Sequence, residues 1–312
     1  MISRCAIDPA RCTHRLAFTS SARVAWRLIL ELVEFPKGAT LLLPAYVGTT
    51  DREGSGIIDP IDATHTPYTL YPLGDHLQVD LGLIEAMLRS GRYRVMLVVH
   101  YFGIVHTDLH GLRELCERYD TLLVEDCAHV VRPVGSKVGP GAVGHAAFYS
   151  LHKCIAVSTG GVLRLNDAPF DIPSPEGRDR CAPEVLEQLV RTDLRSVGEL
   201  RRANYRWLVQ RLAGVDGLTV LYPNLGTLVP HDFPVWIHDG LREKLYFALL
   251  DEGLPTIALY YRLVDTIRPE EFPLSHALSR SVLNLPVHQD TTITDLEHLT
   301  DRLTRRLALL RA

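Results

Sequence analysis

The stretch "RVMLVVHYFGIVHTDLHGLRELCERYDTLLVED", residues 94–126, decides the fold. It opens with a continuous β-branched run, 94–100, and closes with a second apolar run, 121–126. Between them "DLHGLRELCERYD" (108–120) repeats its apolar residues at helical spacing. Strand, helix, strand with unbroken apolar strands is the signature of a parallel sheet covered on both faces. His100 ends the first strand and Asp126 ends the second. In open α/β sheets the carboxyl ends of the strands are where functional groups collect.

The same pattern extends outward. "ARVAWRLILELVE" (22–34) predicts a helix, with Ser20 and Ser21 as cap candidates. "TLLLPAY" (40–46) predicts a buried strand stopped by Pro44, and "VDLGLIEAMLRSG" (79–91) a helix closed by Gly91. "HAAFYSL" (145–151) and "GVLRL" (161–165) add two strands. The stretch 166–184, rich in proline, aspartate and glycine, is a connector. Beyond it the pattern predicts a helix over 184–213, a strand at 218–223 and a helix over 242–253. Strands at 254–261 and 281–287 and a terminal helix over 294–310 complete it. The expected organisation is a large α/β domain, 1–182, and a smaller α+β domain, 183–312.

The 312 residues are 46% hydrophobic and 22% charged, with a net charge of −4. That is ample for a core, and it offers no basic field for nucleic acid or an anionic membrane. No apolar run approaches a membrane span, and residues 1–9 carry no signal-peptide pattern. Cys5, Cys12, Cys116, Cys127, Cys154 and Cys181 form no C-x-x-C pair. A structural metal is therefore not expected, and a reducing cytoplasm is.

The chemistry centres on "FYSLHKCIAVSTGG" (148–161). Lys153 lies just past a strand, so it shares a rim with His100 and Asp126. Taken singly, each has a plainer reading: a surface lysine, a core histidine, a turn cap. Together they suit a lysine that forms a Schiff base with a carbonyl cofactor, and an aspartate that pairs with a protonated pyridine nitrogen. The start of the 22–34 helix and the Ser150 hydroxyl suit a phosphate. "GPGAVG" (139–144) matches G-x-G-x-x-G in form, but Pro140 fills the second position and a strand follows. It reads as a glycine-rich turn, not a nucleotide site.

In "VVHYFGIVHTDLHGL", "LLVEDCAHVV", "GHAAFYSLHKCIAVSTGGVL" and "SVLNLPVHQDTTITDLEHL" the chain resembles the DegT/StrS-type aminotransferases. These are fold-type-I, pyridoxal-phosphate-dependent enzymes that aminate keto sugars. The resemblance implies a mixed, mostly parallel sheet and a pyridoxal 5'-phosphate cofactor. It implies that Lys153 carries the cofactor and shuttles a proton, that Asp126 holds the pyridinium, and that His129 lies against the ring. Ser150 would bind the phosphate, joined by the helix start at Ala22, Arg23 and Val24. The Ser150–Lys153 spacing is that of a shorter subgroup. The family's ring-stacking aromatic falls near Gly48, leaving Tyr46 as the nearest replacement, and its small-domain His-Tyr reads Tyr260-Tyr261. "GRDRCAPEVLEQL" (177–189) is the best match to a phosphate contact lent by a neighbouring subunit. The implied partners are an amino donor, glutamate or glutamine, a keto acceptor, and a second copy of the chain sharing the sites. The alternatives are other chemistry on the same cofactor, or a non-catalytic partner subunit.

Overall fold

The computed structural model describes residues 15–51, 54–131, 136–172 and 174–312. The expectations at residues 1–9, and those for Cys5 and Cys12, lie outside the described residues. The first part runs β1 (Arg15–Thr19), α1 (Ala22–Leu32), β2 (Thr40–Pro44), α2 (Ile58–Ala63), β3 (Tyr68–Tyr71) and α3 (Leu81–Leu88). It continues with β4 (Tyr93–Val99), α4 (Leu109–Arg118), β5 (Leu122–Cys127), β6 (Ala146–Ser150) and β7 (Gly161–Leu165).

These strands form one seven-stranded sheet in the order β1-β7-β6-β5-β4-β2-β3. β3, β2, β4, β5 and β6 run parallel, while β7 and β1 are antiparallel to their neighbours. The mixed, mostly parallel sheet is the one expected. The sequence runs of β2, β4 and β5 are continuously apolar because helices cover both faces: Leu41, Leu42, Leu43, Val95, Met96, Leu97 and Leu123 are all fully buried.

The second part runs α5 (Pro183–Arg191), α6 (Leu194–Leu212), β8 (Leu218–Val220), β9 (Asp232–Ile237) and α7 (Arg242–Leu250). α8 (Pro273–Ser281), β10 (Val282–Pro286) and α9 (Ile293–Arg311) follow. Here β10-β9-β8 make an antiparallel sheet, packed with Leu208, Leu245, Leu299 and Leu303 into a core of its own. Among the described residues no helix is long and apolar enough to cross a membrane.

Two sequence expectations change, and one strand appears where the sequence reading named none. The helical stretch 184–213 is two helices, because Asp193 accepts the N–H groups of Arg195 and Ser196 and starts α6 afresh. The stretch 254–261 is not a strand. Only Ile257 pairs, through an isolated bridge to Asn284, and Tyr260 then takes a left-handed backbone at φ +55°. Conversely β9 is a strand despite Pro234. Pro234 faces Asn284, whose backbone N–H and C=O turn to Ile257, so the missing donor breaks no bond between β9 and β10.

The glycine-rich turn at 139–144 serves β5. Glu125 is fully buried, and its carboxylate accepts N–H bonds from Gly141 (2.7 Å), Val143 (3.0 Å) and Gly144 (2.6 Å). His100 Nε2 lies 2.8 Å away as a fourth partner. Burial would raise this carboxyl, but the bonds from His100, Gly141 and Gly144 outweigh it and hold it below the usual range. His100, Glu125 and Cys127 offer donor atoms within 4.8 Å of one another, yet both Glu125 oxygens are already taken, so the group acts as a clamp. Removing one partner of such a buried set costs about 3–5 kcal/mol. Glu125→Ala is therefore expected to lower the unfolding free energy, read from urea denaturation, by that much; unchanged stability contradicts the clamp.

Candidate active site

Three strand ends of the large sheet meet at one rim. β4 delivers His100, β5 delivers Asp126 and then His129, β6 delivers Ser150, and a single helical turn, 151–153, carries Lys153. The N-terminus of α1 is brought to the same rim by the glycine pair 160–161. Gly160 takes φ +112° and its N–H reaches Ser20 O at 2.9 Å. Gly161 lies directly beneath the helix start: a Cβ there would fall 2.2 Å from Ser21 C and 2.5 Å from Ala22 N. Only glycine allows that approach.

The rim borders a cavity of about 900 Å³. Ser21, Ala22, Arg23, Asp126, His129, Ser150 and Lys153 line it, together with Tyr260 and the first turn of α7 from the second part. Six of the eight site residues expected from the sequence are thus brought together. Val24 and Tyr46 are not among its walls. The Val24 N–H is taken by the Ser21 hydroxyl, 3.3 Å away, which caps α1. Tyr46 is fully buried and turns inward onto Tyr101, while Val47 and Gly48 face the cavity.

Electrostatics sharpen the picture. Burial pulls the partly exposed Lys153 ammonium below the ordinary lysine value, against the opposing charges of Asp126 and Asp232. Burial raises the Asp126 carboxyl, opposed by the Ala128 N–H at 2.8 Å and the charge of Lys153. Burial also drives His129 well below the usual imidazole value, with Lys153 and His231 adding to it, so its ring is neutral. That ring stacks on His231 at 4.7 Å, and His231 Nδ1 lies 2.8 Å from Asp232 Oδ2. Ser150 Oγ lies 3.1 Å from His152 Nδ1.

Sequence reasoning missed Arg201. It is 1% exposed, bonds Gln289 through Nε at 2.9 Å, and donates from Nη2 to the Lys153 carbonyl at 3.3 Å. It shares one face of α6 with Val197, Tyr205 and Leu208, which are buried. A charge on an apolar helical stripe was the signal for it. Asp232 and His231 gave no local signal, since they act only through the packing of β9 against the first part.

The donor set fits pyridoxal phosphate. An amine of lowered basicity, a buried carboxylate for a ring nitrogen, and a hydroxyl beside a helix N-terminus for a phosphate all border one cavity. Comparison with known proteins agrees. The model of the DegT/DnrJ/EryC1/StrS aminotransferase family matches residues 61–171. The chain is 26% identical over 254 residues to a dTDP-3-amino-3,4,6-trideoxy-alpha-D-glucose transaminase from Streptomyces venezuelae, covering 71% of this chain and 65% of that one. It is 22% identical over 303 residues to the GDP-perosamine synthase of Vibrio cholerae, covering 86% and 79%. In structure it matches the aminotransferase TlmJ from Streptoalloteichus hindustanus with a TM-score of 0.75 at 22% identity, over 95% of this chain and 87% of that one. The likeness carries the expected fold.

Proposed function

We propose that this chain is a member of the DegT/DnrJ/EryC1/StrS aminotransferase family, whose model matches residues 61–171, and that it is a pyridoxal-phosphate-dependent aminotransferase. It moves an amino group from an amino acid, glutamate or glutamine, to a keto group of a sugar, nucleotide sugar or similar polar metabolite. The observation that carries this reading is the placement of Lys153 and Asp126 on one cavity wall beside the N-terminus of α1.

When bound, the cofactor supplies an aldehyde carbon and a protonated pyridine ring that draws electrons from the substrate. The chain does the rest. Lys153 Nζ, its ammonium destabilised by burial, would be the amine that holds the cofactor's aldehyde carbon. The same Nζ would take and return a proton at the substrate's reacting carbon. Asp126 would hold the ring nitrogen, and neutral His129 would add no competing charge beside it. Ser150 Oγ and the N-terminus of α1 would hold the phosphate. The presence of Lys153 favours amino transfer over the dehydration chemistry of relatives that carry histidine there.

We further assign residues 1–182 to a cofactor-binding domain and 183–312 to a smaller domain, and read the active unit as a cytoplasmic homodimer. Cys116, Cys127, Cys154 and Cys181 are free and buried, which suits a reducing compartment. The test is spectroscopic. The holoprotein is expected to absorb as a borohydride-sensitive yellow species, glutamate to bleach it, and a keto sugar from a free and nucleotide-linked panel to restore it. A band that both glutamate and glutamine leave unchanged contradicts amino transfer. Light scattering is expected to give twice the mass of one chain.

A further inference from the structure

Position 48 is a gap in the cavity wall, and one residue from the second part of the chain fills it. Beyond β2 the backbone runs along the cavity through Val47, Gly48 and Thr49. A Cβ at Gly48 would fall 2.3 Å from Tyr260 Cδ1 and 2.9 Å from Tyr260 Cγ. The Tyr260 ring therefore occupies the space a side chain at 48 would take. The two positions exclude each other.

Tyr260 is held there from several directions. Gly48 bridges to Leu263, Thr49 N–H donates to Arg262 O at 3.1 Å, and Val264 N–H donates to Val47 O at 3.0 Å. These bonds clip the segment after Tyr260 onto the cavity wall. Ser279 Oγ donates to the Tyr260 carbonyl at 2.6 Å. Tyr260 also keeps a left-handed backbone, φ +55°, which is uncommon for an aromatic residue and persists only where its surroundings impose it.

Several aromatic rings line the cavity, Phe148, His129 and Tyr260 among them. Phe148 is stacked on Trp26 at 5.4 Å and 25°, and His129 on His231 at 4.7 Å and 22°. Tyr260 meets Tyr46 and Tyr101 at 79° and 86°, and among the described residues no ring stacks face-on against it.

We propose that Tyr260 is the aromatic wall against which the pyridine ring of the cofactor packs, supplied by the second part of the chain to fill the place Gly48 leaves open. This rests on the cofactor reading above and adds to it a named contact. The geometry also makes cofactor retention depend on the loop 255–264 staying docked on residues 47–49.

The experiment is titration of apoprotein with pyridoxal 5'-phosphate, read by quenching of protein fluorescence and by visible circular dichroism. Tyr260→Phe keeps the ring and is expected to bind within about twofold of the parent. Tyr260→Leu keeps apolar bulk without a π-face and is expected to bind about fivefold to tenfold more weakly, the size of an aromatic stacking term. Its visible dichroism should fall with it. Gly48→Ala leaves residue 260 untouched but displaces the ring, so it is expected to reproduce the loss. Parent-like affinity and dichroism in Tyr260→Leu, or in Gly48→Ala should the first variant misfold, overturn the proposal. A parent protein that takes up no borohydride-reducible cofactor fails the functional reading instead, so the two failures are distinguishable.

Discussion

Lys153→Ala is expected to hold no covalent cofactor: no borohydride-reducible band, and amino transfer reduced at least about a thousandfold, the scale of losing a positioned acid–base group. The short turn 151–153 carries one amine onto a rim whose other members include a carboxylate, a neutral imidazole and a hydroxyl. An exposed lysine at pH 7 is almost wholly protonated and a poor nucleophile. Burial moves Lys153 toward the free amine, while Asp126 and Asp232 keep the shift in check. Arg201 fixes the backbone of the same residue through its carbonyl. A single truncation removes the amine and leaves that surrounding apparatus intact, so the variant should fold normally. A normal band in Lys153→Ala would place the linkage elsewhere and refute the assignment.

Asp126→Asn carries the second large effect, and it has two parts. Asparagine cannot keep a pyridine nitrogen protonated, so turnover is expected to fall at least about a hundredfold, with weaker cofactor binding. Parent-like kinetics would remove Asp126 from its proposed role. The apoprotein, in contrast, is expected to gain stability at neutral pH. Burial raises the folded-state pKa of Asp126 above its unfolded value. Stability linked to such a group is fully present below the unfolded pKa and is lost as pH rises through the folded one. At neutral pH the ionised carboxylate is thus a liability that the Asn variant removes. Thermal melts of the two apoproteins should differ at pH 7 and converge in acid; a lower melting point for the variant at pH 7 contradicts this. Function and apo stability pull in opposite directions at this residue, as expected where a charge is held ready for a ligand.

Much of this was legible in the chain itself. The unbroken apolar runs at 40–46, 94–100 and 121–126 could only be buried parallel strands, and that placed His100, Asp126 and Lys153 along one edge. The close approach of Gly161 beneath the α1 cap was not read from the sequence. What stayed hidden depended on contacts between distant residues. Tyr46 looked like a cavity residue because it follows Pro44 closely, but the chain turns it into the core. Val24 looked like a phosphate donor until Ser21 was seen to consume its N–H. Pro234 disguised a central strand, since its neighbour Asn284 bonds the other way. The relation of Tyr260 to Gly48 has no local signature, because it exists only when the loop 255–264 lies down on residues 47–49. The same holds for Arg201 and Asp232, whose influence on Lys153 arises from the packing of the second part on the first.

The most direct measurement is peptide mapping of the holoprotein after borohydride reduction, which fixes the imine as a stable pyridoxyl adduct. That adduct is expected on the peptide containing Lys153, at one label per chain. An adduct on another lysine, or a protein that binds the cofactor and yields no adduct, contradicts it.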